Sequence, residues 1–240
     1  ESSPQSRPRP ERMVDYELGY ERRSGRSAIG VNLYYMDYTD QLVLTGELND
    51  VGYALRTNVP ESYRAGVELT GAAQFARRFT WRPNATFSQN RITDFTEFVD
   101  DWDNGGQQQF ALGGTEIAFS PSVIAGSELI CRFWESAERG HGDVALVTKY
   151  VGRQYLDNTA STDRMLDPYL VNDVRLNVSL KGTGGLRAVD INLTVRNVFS
   201  ELYESNGWVY SFVADGRRQD PVGLFPQAPL NVLAGVVLRF

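Results

Sequence analysis

The chain has 240 residues, 42% of them apolar and 12% aromatic, which suits one large β domain or two small ones and excludes a disordered chain. Its formal net charge of −6 supplies no basic surface for nucleic acid, and no nucleic-acid motif is present. A single cysteine, Cys131, excludes an internal disulfide, and a single histidine, His141, argues against a zinc or haem site, so neither metal nor cofactor is expected.

The first residues, ESSPQSRPRP, are polar and proline-rich, unlike the apolar stretch of a secretory leader. Beyond them apolar side chains recur at every second position rather than at helical spacing, which predicts about nine strands and no helix. In order, the candidates are 14–22, 28–44, 63–75, 80–93, 115–132, 143–155, 169–181, 188–198 and 229–240. Val174, Leu176, Val178 and Leu180 alternate with Arg175, Asn177, Ser179 and Lys181. Val189, Ile191, Leu193 and Val195 do the same against Asp190, Asn192, Thr194 and Arg196. In the last run Val232, Ala234, Val236, Leu238 and Phe240 share one face, and Leu233, Gly235, Val237 and Arg239 the other.

Alternation alone also describes a half-buried sheet in a soluble sandwich, such as a carbohydrate-binding module. The mean hydropathy of −0.34 points the same way, and no apolar run approaches a membrane helix. That argument does not reach barrels, whose strands need only about 9 to 11 residues and show alternate ones to lipid. The connections decide for a barrel. They run short and long in turn: 23–27, 45–62, 76–79, 94–114, 133–142, 156–168, 182–187 and 199–228. Up-and-down membrane barrels sort their loops this way, with short periplasmic turns and long outer loops, whereas a Greek-key sandwich has no reason to. Tyr16, Tyr35, Tyr63, Trp81, Tyr150 and Tyr169 fall near strand ends, as in the aromatic girdles of such barrels.

Several segments resemble the TonB-dependent outer-membrane receptors, in particular those of Bacteroidetes-like bacteria. They are PERMVDYELGY from Pro10, LYYMDY from Leu33 with Asp40-Gln41-Leu42, and Asn58 followed by Arg64-Ala65-Gly66-Val67-Glu68. KYVGRQYLDNT from Lys149 and Arg196-Asn197-Val198-Phe199 with YESNGW from Tyr203 complete the set. The resemblance implies the C-terminal part, residues 1–240, of a transmembrane antiparallel barrel of about 22 strands in the bacterial outer membrane. It further implies outer-membrane lipid around the wall, the remaining strands and an N-terminal plug outside this chain, TonB engaged through that plug, and scope for a lipoprotein lid. Gly235, Leu238 and Phe240 match the family's terminal assembly signal, while Leu233 stands where a polar residue is usual.

Two segments are candidates for ligand contact. The acidic stretch Asp94, Glu97, Asp100, Asp101 and Asp103, with Trp102, Phe95 and Phe98, lies in an expected outer loop. Its carboxylates suit a hard cation and its rings a flat ligand or a sugar, although a solvated loop accounts for them too and the spacing is not that of a calcium loop. The longest connection carries Trp208, Tyr210, Arg217 and Arg218, with 208–212 expected to be an extended strand above the membrane. No nucleophile elbow or paired-carboxylate pattern is present, so no catalytic residue is assigned and a barrel enzyme is the weaker alternative. The expected function is TonB-coupled uptake of a scarce solute: siderophore, haem, cobalamin, glycan or peptide.

Overall fold

The computed structural model describes residues 8–48, 51 and 53–240; most of the proline-rich start and the tip of the 45–62 connection lie outside the described residues. Sixteen strands and no helix are present among them. They are β1 (Arg12–Ser24), β2 (Ser27–Leu48), β3 (Ala54–Phe75), β4 (Phe79–Asp101), β5 (Gln107–Glu116), β6 (Val123–Ser136), β7 (Gly140–Val151) and β8 (Gln154–Tyr155). The second half holds β9 (Met165–Leu166), β10 (Tyr169–Lys181), β11 (Ala188–Arg196), β12 (Glu204–Val209), β13 (Phe212–Ala214), β14 (Arg217–Gln219), β15 (Val222–Pro226) and β16 (Asn231–Arg239).

The wall is a meander in the order β1-β2-β3-β4-β6-β7-β10-β11-β16, every neighbouring pair antiparallel. Each expected strand appears in it, with shifted ends. Tight turns follow β1, β3, β6 and β10 at one pole; at the other, the long excursions follow β4, β7 and β11, and β2 and β3 themselves extend outward to a connection at 49–53. β1 and β16 each pair on one side only among the described residues.

Register turns the alternation of single strands into two continuous faces. Leu18, Leu33, Val67, Phe87 and Val123 form one row across the sheet. Trp81, Leu129, Leu146, Val174, Val195 and Val232 form another. Many of these rings and branched chains are exposed although apolar, and none is buried: Leu18 is 70% exposed, Phe87 50% and Val232 56%. In water such a patch would be far larger than a soluble monomer tolerates, whereas against hydrocarbon it costs nothing. The opposite face carries Glu17, Asn32, Glu68, Thr86, Asp173 and Asn192, the register positions between those rows. Its charges pair along the wall: Arg82 with Glu128 at 3.2 Å, Arg132 with Asp143 at 3.3 Å and Arg239 with Asp190 at 2.6 Å.

Aromatic side chains mark both margins of the apolar face. Tyr16, Tyr35 and Tyr63 step across β1 to β3 near the long-loop pole, with ring centroids 6.5 and 5.8 Å apart. Phe75 and Phe79 stack at 5.5 Å beside the turn at the other pole, near Trp81. At about 3.4 Å per residue and a tilt near 40°, the stretch of β3 from Tyr63 to Phe75 spans roughly 30 Å along the membrane normal, the thickness of a hydrocarbon core.

On the polar face Gly66 lies beneath Tyr34. A Cβ there would stand 2.6 Å from the Tyr34 hydroxyl and 2.6 Å from the Phe87 carbonyl oxygen. Backbone cannot yield as a flexible side chain does, so Gly66→Ala is expected to cost about 1–3 kcal/mol, read as a lower urea midpoint of the refolded barrel.

Three expectations about connections change. The 45–62 connection is largely strand, because β2 runs to Leu48 and β3 resumes at Ala54. The 94–114 stretch is no loop: β4 continues to Asp101 and β5 returns beside it. The single expected strand 115–132 is broken at Pro121, which has no N–H for a ladder, and at Phe119, which adopts φ 52°; β5 and β6 stand on either side.

Candidate functional site

β2, β3 and β4 are 22, 22 and 23 residues long, about twice the length that crosses a bilayer, so their upper halves stand above it. The long connections fold over the polar side of these extensions and make a crown with its own core. Val43, Val59, Ile92, Phe95 and Ile117 form one buried cluster, and Leu156, Leu166 and Val209 another. Asn158, fully buried, ties the 152–168 connection to the rest: its side-chain amide donates to the Leu44 carbonyl at 2.5 Å and its Oδ1 accepts from the Ala118 N–H at 2.8 Å.

Asp100, Asp101 and Asp103 of the acidic stretch are engaged in contacts within the crown. Asp101 Oδ1 accepts from the N–H groups of Asp103 and Asn104, and its Oδ2 from Gln108 at 2.8 Å, which holds this carboxyl below its ordinary range. Asp103 receives the N–H groups of Asp215 and Gly216, both at 2.8 Å, in the turn between β13 and β14. Tyr210 donates its hydroxyl to Asp100 at 2.8 Å, and Trp102 stacks on Phe212 at 4.0 Å. β13 completes the contact by pairing with the end of β4, Phe212 against Asp100. The two segments that stood apart in the sequence are thus brought together. Trp208 packs across Gly223 of β15. Arg217 and Trp102 remain exposed at the outer surface.

Beneath this contact lies an ion cluster. Arg164 Nη1 donates to Asp157 Oδ2 at 2.7 Å, to Glu97 Oε1 at 2.9 Å and to Ser211 Oγ at 3.1 Å. Arg218 forks onto Glu97 at 2.6 and 3.0 Å and reaches Asp220 through Nε at 2.9 Å. Glu97, Asp157 and Arg164 are 8%, 4% and 6% exposed. Three chain segments, β4, the 156–166 loop and the 211–220 turn, are clasped by charges that have left water. Glu97 and Arg218 were singled out by sequence reasoning; Arg164 was not, because its partners Glu97 and Ser211 lie far along the chain and the nearby Asp157 alone does not mark it.

The clasp has a definite pH response. Burial raises the Asp157 carboxyl above its ordinary value despite the neighbouring Arg164, while hydrogen bonds from Ser211 and Arg218 outweigh burial and lower that of Asp220. A raised folded-state value favours the folded crown on the acid side and loses that contribution as pH climbs through it; the lowered Asp220 and Asp101 contribute above the ordinary carboxylate range and lose this as pH falls through their folded values. Protease resistance of the crown is therefore expected to peak on the acid side of neutrality, and Asp157→Asn to flatten the decline toward neutral pH.

Beside the clasp is a cavity of about 430 Å³, open on one side. The β2–β3 hairpin contributes Thr57 and Asn58, β4 contributes Phe95 and Glu97, and Asp157 and Val209 close it from the loops. Its size suits a small solute.

A family model described as "TonB dependent receptor-like, beta-barrel" matches residues 4–198 of this chain. The chain belongs to that family of barrels. Members lie in the outer membrane, which is what the exposed apolar rows of the wall require. Solved receptors share the fold. The ferric yersiniabactin uptake receptor FyuA from Yersinia pestis superposes with a TM-score of 0.59 at 19% identity, over 96% of this chain and 30% of that one. The ferric preacinetobactin receptor BauA from Acinetobacter baumannii gives 0.63 at 15% identity, over 94% and 29%. The copper transporter OprC gives 0.63 at 14%, over 97% and 32%. The chain thus spans about a third of the length of the TonB-dependent receptors it matches. No curated protein matches it.

The Arg196–Phe199 motif has a structural role of its own. Asn197 takes φ 49° where the chain leaves β11, its side-chain amide donates to the Glu201 and Ala228 carbonyls, and its Oδ1 accepts from the Glu201 N–H at 2.9 Å. One buried asparagine therefore closes the base of the longest outer connection, which begins and ends within its reach.

Proposed function

We propose that this chain forms the C-terminal wall and outer rim of a receptor that takes up a scarce solute across the outer membrane by TonB-coupled active transport. The observation that carries this reading is the pairing of two features on one sheet. An apolar face is graded for a bilayer, and a hydrated face is roofed by a folded crown. Two unpaired wall edges, β1 and β16, support a larger barrel in which about 13 further strands continue the meander if the total is about 22. An open edge is untenable in lipid.

In this reading the crown captures the solute, a plug from the same receptor senses it and TonB, pulling on the plug, opens the path. The wall and rim make and break no bond. Trp102 and Arg217, left exposed by the docking of their loops, and the cavity edge at Thr57 and Asn58 are the contacts offered to the solute, with Trp208, Tyr210, Asp101, Asp103 and Arg218 holding them in place. Lipid covers the apolar rows, and a lipoprotein lid has room above the crown. A soluble sandwich would need a second layer over the Leu18 to Val123 row, and among the described residues none is present.

The test is uptake. Cells carrying the receptor that contains this segment are expected to accumulate a cognate ferric siderophore, haem, cobalamin, glycan or peptide only while TonB is present and the inner membrane is energised. Uptake that persists after TonB is removed, or a chain monodisperse without detergent, contradicts the reading.

A further inference from the structure

Although the chain is acidic overall, its short-turn pole is basic. Arg22 and Arg26 flank the β1–β2 turn, Arg77 and Arg78 make the β3–β4 turn, Arg139 lies in the β6–β7 turn and Arg187 in the β10–β11 turn. All are exposed, and none makes an ion pair among the described residues. The acids at this pole offset them only in part: Glu21 is committed to Arg23, Glu135 lies 3.8 Å from Arg132, and Glu138 stands next to Arg139 in the β6–β7 turn. The opposite pole holds the acidic crown, so the charge is separated along the wall.

Position ties these cations to the membrane rather than to the lumen. Arg22 follows Tyr20 on the outward parity of β1 and pairs with Ile29 of the outward row. Arg187 stands just before β11, two residues from Val189 of the outward row. Arg77 and Arg78 sit between Phe75 and Phe79, the stacked pair that marks the margin of the apolar face. Within one or two residues, or about 3–7 Å, the wall passes from hydrocarbon contact to guanidinium, the depth at which lipid phosphates lie. The β3–β4 turn also keeps Ala76 and Arg77 at φ 46° and 55°, where glycine would sit without strain.

We infer that this basic rim binds the anionic phospholipid headgroups of the periplasmic leaflet and so fixes the depth of the barrel in the membrane. Guanidinium groups fork onto phosphate oxygens, and a ring of them beside an aromatic margin holds a negatively charged headgroup more tightly than a zwitterionic one. The inference rests on the membrane placement of the wall but not on TonB coupling or on any transported solute.

Trp81, outward on β4 and 44% exposed, is the reporter. The full receptor is reconstituted in vesicles of brominated phosphatidylglycerol or brominated phosphatidylcholine, and the quenching of Trp81 is taken as the difference from a Trp81→Phe variant. The expected result is a several-fold preference for phosphatidylglycerol that falls as salt is raised. It should drop to near one in R22Q/R26Q/R77Q/R78Q and survive in the corresponding lysine variant, which separates loss of charge from misfolding. Equal quenching by the two lipids, or a preference unchanged in the glutamine variant, overturns the inference. So does suppression of the preference by millimolar inorganic phosphate, which would mark a free-anion site. If the glutamine variant loses uptake while its lipid preference stays intact, the rim serves an acidic periplasmic protein instead and the lipid assignment falls.

Discussion

Replacing Arg164 by leucine is expected to release the crown while leaving the wall folded. Arg164 is 6% exposed and holds Asp157 at 2.7 Å and Glu97 at 2.9 Å. Removing one partner of a buried ion pair costs about 3–5 kcal/mol, because the stranded charge stays out of water. Glu97 keeps the fork of Arg218, so the cost falls on Asp157, whose other hydrogen-bond partner among the described residues is Thr159. The crown's docking should weaken accordingly, with proteolysis and amide exchange rising together in the 156–166 loop and the 204–226 excursion. The wall amides should be unchanged. Because burial already favours the protonated form of Asp157, the defect should shrink at acid pH. Protection within about 1 kcal/mol of the parent would mean that the clasp contributes little beyond the apolar clusters.

The second large effect lies in the wall. Leu176 stands on the outward face of β10 between Val144 and Leu193, and its neighbour Asn177 faces the other way between Asp143 and Asn192. An arginine on the lipid face near the bilayer centre costs about 2–4 kcal/mol, whereas the same side chain on a hydrated face costs little. Leu176→Arg should therefore lower the stability of the refolded barrel by that amount and Asn177→Arg by less than about 1 kcal/mol, read from urea transitions in lipid vesicles. The chemical change is similar and the positions are adjacent. Equal costs at the two sites would remove the distinction between faces.

The wall was legible because its physics is local. In β10 and β11 the period of two is carried by Val, Leu and Ile against Asp, Asn, Ser and Arg, and a strand with lipid on one side and water on the other must show that contrast. The alternation of connection lengths carried the topology. Above the membrane the contrast is lost. Phe95, Glu97, Val99 and Asp101 all point into the crown and are buried, while Phe98 between them is exposed, so the upper half of β4 reads as a charged loop although it is a strand. Asp101 is held locally, by Gln108 and the N–H groups of Asp103 and Asn104, but Glu97 is buried because Arg164 and Arg218 from distant segments meet it, and no window of sequence contains both members of such a pair. The segments singled out for ligand contact do converge in space. That Asp103 serves the convergence itself depends on the β13–β14 turn presenting Asp215 and Gly216, which only the folded chain reveals.

Cysteine scanning through β10 tests the two-faced wall most directly. In a Cys131→Ser background of the full receptor in lipid vesicles, single cysteines at positions 174–179 would be spin-labelled in turn. Collision with oxygen, which concentrates in hydrocarbon, should peak at 174, 176 and 178, and collision with a water-soluble nickel chelate at 175, 177 and 179, following the outward rows through Val174, Leu176 and Val178. Accessibility without a period of two, or oxygen maxima at 175, 177 and 179, would contradict a sheet with lipid on one face and a hydrated interior on the other.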